Sequence, residues 1–100
     1  MVFLSKIILV TAEYDPLRGK IRRVLREISE EKGIEIEERE EDWDFLIKYG
    51  ERDEIGGFNI PQVFVQYDDG SVKHVLTRIP LSEEGKLDLK RAKEIILRAL

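Results

Sequence analysis

The chain of 100 residues contains no cysteine, and histidine, methionine and tryptophan occur once each. Without cysteine it can form no disulfide, no thiolate metal site and no thiol nucleophile. A zinc site is not expected, because the single histidine, His74, has no cysteine to share a metal with. With these residue types missing or scarce, we expect no metal and no cofactor. No run of about eighteen apolar residues occurs either, so we expect no membrane span.

Acidic and basic residues are abundant by contrast, making up 38% of the chain with a net charge of −4. The negative balance argues against binding of nucleic acid by the whole surface, because attraction to phosphates needs a positive field. Many charges with scarce Asn, Gln and Met resemble the composition of thermophile proteins. The length predicts one domain over residues 1–100. The apolar start lacks a basic segment and a cleavage site, so it indicates a strand and a cytoplasmic protein.

Hydrophobic spacing predicts the element order β-α-β-α-β-β-α. Residues 6–11 form a continuous apolar run, which is typical of a buried strand. Asp15 and Pro16 are expected to begin the first helix, and Gly33 to end it. Its apolar face is predicted from residues three or four apart: Leu17, Ile21, Val24, Leu25 and Ile28. Ile34 and Ile36 alternate with glutamates and indicate a short strand.

The second half of the chain carries three further signals. Asp42 is expected to cap a second helix whose inward residues are Trp43, Leu46 and Ile47. Residues 62–67 and 71–76 read as two strands joined by a tight turn at residues 68–70. Asp88 should begin the last helix. His74 alternates with apolar residues, which indicates a covered position on the fourth strand.

Three short segments, taken together in this order, resemble the thioredoxin fold, and most closely its short form in glutaredoxin. They are residues 60–65 with Pro61 at a strand entry, the turn and strand start at residues 69–72, and the tetrapeptide at residues 14–17. The resemblance implies an α/β domain with a four-stranded mixed sheet and helices on both faces. The first two strands would be parallel and the last two an antiparallel hairpin. It also implies a cis bond before Pro61.

Tyr14 and Leu17 stand where the resemblance places the two active-site cysteines. Neither side chain can form a disulfide, so disulfide oxidoreductase activity is excluded. The resemblance further implies that the backbone of Ile60 is free to pair with an extended peptide. We therefore expect a non-catalytic binding or adaptor module with a protein or peptide partner. Its predicted binding residues are Tyr14, Asp15, Pro16, Leu17, Ile60, Pro61 and Gln62.

Two other functions stay open at this point. Tyr14 could hold a small thiol ligand such as glutathione, because the related glutathione transferases use a tyrosine near this position. Its plainer interpretation is a tyrosine that packs the loop against Pro61.

A monomer or weak homodimer is expected, since the acidic strand at residues 34–38 discourages pairing of sheet edges.

The basic first helix suggests the second alternative, a surface for docking a charged partner such as nucleic acid. The arginines that would carry it are Arg22, Arg23 and Arg26. The plainer interpretation is a solvated helix face with ion pairs four residues apart, such as Arg23 with Glu27 and Arg26 with Glu30.

Overall fold

The computed structural model describes residues 3–100. Within them the chain forms an α/β fold with four strands and three helices in the predicted order. The elements are β1 (Leu4–Thr11), α1 (Arg18–Lys32), β2 (Glu35–Glu40), α2 (Trp43–Tyr49), β3 (Gln62–Tyr67), β4 (Val72–Thr77) and α3 (Leu89–Arg98). No helix in this part of the chain is long and apolar enough to cross a membrane.

The four strands form one mixed sheet in the order β2-β1-β3-β4. β1 and β2 are parallel, whereas β3 is antiparallel to both β1 and β4. The predicted parallel first pair and antiparallel last pair are therefore confirmed. The turn between β3 and β4 also follows the prediction, with Gly70 at a φ of 88° that a side chain would disfavour.

From Ile7 to Val10 β1 is buried on both faces, and this explains the uninterrupted apolar sequence there. Ile7 and Leu9 face a core formed with α1 and α3. Ile8 and Val10 face the opposite side, where they pack with Leu46 of α2 and Phe64 of β3. The sheet thus has helices on both faces. Alternating side chains of one strand supply both cores, because successive residues of a strand point to opposite sides.

Helix α1 begins later than the Asp15-Pro16 signal predicted. The first helical residue is Arg18, and Leu17 in the N-cap position makes no side-chain cap. Asp15 instead accepts hydrogen bonds from the Leu17 N–H and the Thr11 hydroxyl, one turn ahead of the helix. Gly33 ends the helix as expected, in the left-handed conformation.

Helix α2 is capped by Asp42, whose carboxylate accepts the N–H of Phe45 at 3.1 Å. The prediction that Trp43 and Ile47 point inward was wrong. Ile47 is 58% exposed and Trp43 is also exposed, whereas Leu46 is fully buried. Phe45 takes the second inward place and contacts Phe64 edge-on, with ring centroids 5.0 Å apart. A helix of seven residues buries only a narrow stripe, and that stripe is set by the facing sheet.

A register shift in β4 decides the surroundings of His74. Val63 pairs with Leu76 but Phe64 pairs with His74, so Val75 is an extra residue in the ladder. His74 consequently lies on the Phe64 side, 5.5 Å from that ring, while Leu76 belongs to the other core. Its Nε2 lies 2.7 Å from the Thr77 hydroxyl. His74 is half-buried, as expected, but it shares no face with Leu76.

Ion pairs link the helices to the sheet and to each other. Glu37 binds both Lys6 and Arg39, and Arg39 also binds Asp42 at 2.9 Å. The pairs proposed from the spacing along α1 are not among the ion pairs of residues 3–100. Lys93 of α3 reaches Glu27 at 3.6 Å and binds Glu31 at 2.6 Å, because α1 and α3 lie side by side.

We expect Ile96→Ala to lower the free energy of unfolding by about 2–5 kcal/mol, because it opens a cavity in the core. Ile96 is completely buried in the core of α1 and α3. The matched control is Ile55→Ala, since Ile55 is 93% exposed. Guanidinium unfolding curves measure both variants. Equal unfolding midpoints for the two would contradict this packing.

Burial lowers the pKa of His74 below the ordinary value of about 6.5, and the charge of Glu51 opposes this only partly. Below that value the unfolded chain takes up a proton before the folded chain does. The free energy of unfolding should therefore fall as the pH drops from about 7 towards 5. His74→Phe should flatten this part of the profile. An NMR titration with a midpoint at or above 6.5 would contradict the burial.

Candidate functional site

The two segments of the predicted site and the end of β4 meet at one end of the sheet because of the strand register. Val10, near the end of β1, lies opposite Gln62 at the start of β3. Gln62 in turn lies opposite Thr77 at the end of β4. The Arg78 N–H donates to the Pro61 carbonyl at 2.8 Å. Residues 12–17, 60–62 and 77–78 are therefore neighbours, and we call them the loop edge.

The loop between β1 and α1 is held by Asp15, which is buried. One carboxylate oxygen accepts from the Thr11 hydroxyl at 2.6 Å, and the other accepts from the Leu17 N–H at 2.9 Å. The Asp15 N–H donates to the Ala12 carbonyl at 3.0 Å. Both oxygens and the N–H are thus used within the loop, so Asp15 positions it.

Of residues 14–17 in this loop, two are buried and two are exposed. Leu17 is buried in the core of α1 and α3, and Asp15 is buried below the loop surface. Tyr14 is 66% exposed and Pro16 is exposed. An outside molecule can therefore contact the side chains of Tyr14 and Pro16, while the other two fix the shape of the loop.

The entry to β3 follows the sequence expectation in its backbone. The peptide bond between Ile60 and Pro61 is cis. Pro61 is buried, and Ile60 is half-buried against the core of α2. Within residues 3–100 the N–H and the carbonyl of Ile60 take part in no backbone hydrogen bond. These two groups stand at the loop edge with their bonding capacity unused.

Gln62 plays a different part from the one the sequence suggested. Its side chain is completely buried, and its amide nitrogen donates to the carbonyls of Glu51 and Asn59 at 3.0 and 2.9 Å. Its amide oxygen accepts from the Glu51 N–H at 2.9 Å. The side chain is thereby fully occupied in closing the loop that precedes β3. It supports the backbone of Ile60 and leaves no polar atom for a ligand.

The three arginines selected on α1, Arg22, Arg23 and Arg26, are all exposed, but they do not form one free surface. Arg22 binds Glu38 of β2 through two hydrogen bonds, one of 2.6 Å from Nε. These bonds raise the pKa of Arg22 and lower that of Glu38. Arg26 lines a cleft of about 430 Å³ beside this pair, whereas Arg23 lines a cleft of about 350 Å³ between α1 and α3.

A third cleft, of about 300 Å³, lies between β4 and α3. None of these three clefts is lined by Tyr14, Ile60 or Pro61. Residues 3–100 also contain no group of three His, Cys, Asp or Glu that could hold a metal ion.

Arg78 is the residue of the loop edge that the sequence analysis did not select. It is exposed, and its φ of 59° lies in the left-handed region. Only the backbone conformation reveals this positive φ, because an arginine that follows a strand gives no sequence signal for it. Thr11 was also missed, although a hydroxyl four residues before Asp15 at the end of a strand is a recognisable signal for a loop bond.

Comparisons of the chain with protein-family models, curated proteins and solved structures find no match. The geometry of the loop edge is therefore the basis on which we infer a function.

We expect Gln62→Glu to destabilise the fold by about 2–4 kcal/mol at neutral pH, because it buries a charge and removes the two amide donors. Its carboxylate would face the carbonyls of Glu51 and Asn59. Gln66→Glu is the control on the same strand, at a half-exposed position. Hydrogen exchange should also quicken at the Glu51 amide. Unfolding midpoints that match in the two variants would show that the Gln62 amide does not hold this loop.

Proposed function

We propose that this chain is a non-catalytic binding module of the thioredoxin-like class, and that it binds an extended segment of a protein or peptide at the loop edge. The observation that carries the proposal is the free N–H and carbonyl of Ile60 beside the exposed Tyr14. An extended segment could pair with these backbone groups as a short added strand does.

The sheet supports the assignment to this class. The four-stranded mixed sheet, the parallel first pair and the antiparallel last pair are those implied by the resemblance. Helices α1 and α3 pack on one face and α2 on the other. With no cysteine in the chain, a protein of this fold keeps the binding surface without thiol exchange.

Tyr14 supplies the contact area that backbone pairing alone lacks. A tyrosine offers a large ring and a hydroxyl at a low cost in conformational entropy, and it is enriched in protein interfaces. Its loop is already held by Asp15, so little ordering is needed on binding. The exposed Trp43 lies near the same end of the sheet, because the Glu41 N–H donates to the Thr11 carbonyl at 2.8 Å.

The two alternatives have weaker support. A small thiol ligand would need an enclosed place near Tyr14, and the three clefts described above lie elsewhere. Docking of nucleic acid on α1 would need free arginines, but Arg22 is already bound to Glu38. Retention on immobilised glutathione would favour the first alternative, and salt-dependent retardation of DNA would favour the second.

The experiment begins with a phage-displayed library of random decapeptides, selected on the intact protein. Selected peptides are synthesised and titrated into the ¹⁵N-labelled protein. We expect amide shifts at Ile60, Thr77 and the loop around Tyr14. One N-methylated backbone position in the peptide should abolish binding, since methylation removes a donor needed for pairing with Ile60. Shifts confined to β2 or to the outer face of α1 would overturn the proposal.

Tyr14→Ala should weaken binding of the selected peptides by about tenfold or more, because it removes the largest exposed side chain of the loop. Phe3→Ala is the matched control. Phe3 is 61% exposed but lies at the other end of β1, where its carbonyl accepts from the Asp68 N–H at 2.8 Å. Calorimetric titration measures both dissociation constants. Equal losses in the two variants would indicate a nonspecific effect of removing an exposed ring.

A further inference from the structure

Arg78 adopts a backbone conformation that suits glycine better than arginine. Its φ is 59°, and Glu41 is the one other non-glycine residue with a positive φ among residues 3–100. A side chain disfavours a left-handed position, whereas glycine adopts this region freely. Backbone strain of this kind is concentrated at functional sites. An arginine at a position that favours glycine therefore points to a function of its side chain.

The main chain of Arg78 is fixed from two sides. Its N–H donates to the Pro61 carbonyl at 2.8 Å, and the preceding Thr77 pairs with Gln62 in the sheet. Pro61 directly follows Ile60, whose backbone groups are free within the described chain. The side chain of Arg78 thus projects from a rigid point beside the place where an extended segment would pair.

The guanidinium of Arg78 differs from those of Arg22 and Arg39 in its partners. Arg22 binds Glu38, and Arg39 binds Glu37 and Asp42. Arg78 takes part in no ion pair within residues 3–100, although 21 of the 100 residues of this chain are Asp or Glu. Six other arginines of the described chain also form no ion pair, but Arg78 is the arginine that belongs to the loop edge, where its exposed guanidinium can meet a carboxylate from outside.

We propose that Arg78 makes the loop edge selective for an extended segment carrying an aspartate or glutamate close to the residue that pairs with Ile60. This inference rests on the function proposed above and names the chemistry of its partner. The planar guanidinium can donate two parallel hydrogen bonds to a carboxylate. A segment with one carboxylate near Arg78 fits better than a nucleic acid, because the net charge of −4 repels a chain of many phosphates more strongly than a single carboxylate.

The test uses three forms of one selected peptide, which differ only in having Glu, Gln or Lys at the position near Arg78. Each form is titrated into the intact wild-type protein and into variants at position 78. We expect the wild type to bind the Glu form about tenfold more tightly than the Gln form, and the Lys form more weakly still. The preference should diminish at high salt, because the pair is exposed.

Arg78→Gly should abolish the preference for Glu over Gln while leaving the unfolding midpoint equal to or above that of the wild type. Glycine accepts the positive φ, so misfolding would not explain the loss. Arg78→Glu should invert the order in favour of the Lys form, and Arg78→Lys should keep part of the preference for Glu. Arg91→Ala is the control, at an exposed position on α3.

The outcomes separate this inference from the proposed function. Equal binding of the Glu and Gln forms at the loop edge of the wild type would overturn the role of Arg78 and leave the binding module intact. The same holds if Arg78→Gly keeps the preference. If no selected peptide shifts the amides of the loop edge, both proposals are wrong.

Discussion

The antiparallel ladder between β1 and β3 is the constraint on which the rest of the structure depends. Its register sets Val10 against Gln62, and the loop to α1 therefore leaves the sheet beside the entry of β3. The same ladder buries β1 on both faces, so one strand supplies side chains to both cores. A shift by one residue would exchange the two faces of the strand and would also separate the segments of the loop edge.

Buried polar groups then determine which parts of the loop edge remain available. Asp15 is occupied by Thr11 and Leu17, and Gln62 is occupied by Glu51 and Asn59. No buried side-chain nitrogen or oxygen in the described residues lacks a hydrogen-bond partner. Leaving such groups unpaired is costly, so these residues are fixed in structural roles. The exposed residues of the loop edge include Tyr14, Pro16 and Arg78, and the backbone groups of Ile60 make no backbone hydrogen bond within the described chain.

The charges of the surface follow the same division between occupied and free groups. Glu37 and Glu38, on the outer strand β2, are bound by Lys6, Arg39 and Arg22. These bonds lower the pKa values of both glutamates, so their contribution to stability is present at neutral pH and is lost only under acidic conditions. The described residues of the loop edge form no comparable ion pair.

The element order could be predicted from the sequence because burial leaves a direct trace in it. The apolar run of β1, the helical spacing from Ile21 to Ile28, and the turn at Gly70 each depend on neighbouring residues alone. The same local signals were insufficient where packing chooses between faces. Trp43 and Ile47 were expected inside, yet the sheet selects Leu46 and Phe45. The extra residue at Val75 likewise moves His74 to a face that strict alternation does not predict.

The sequence by itself determined the class of fold, the absence of thiol chemistry and the two segments that form most of the candidate site. Only the tertiary structure decided which site residues are free. Gln62 has its bonds satisfied by Asn59 and by Glu51, which is eleven positions away, and so distant a partner cannot be recognised before the chain is folded. The bonds of Asp15 are local, but only the structure shows that they bury its carboxylate. Arg78 joined the site for the same reason, because its hydrogen bond to Pro61 is made across two strands.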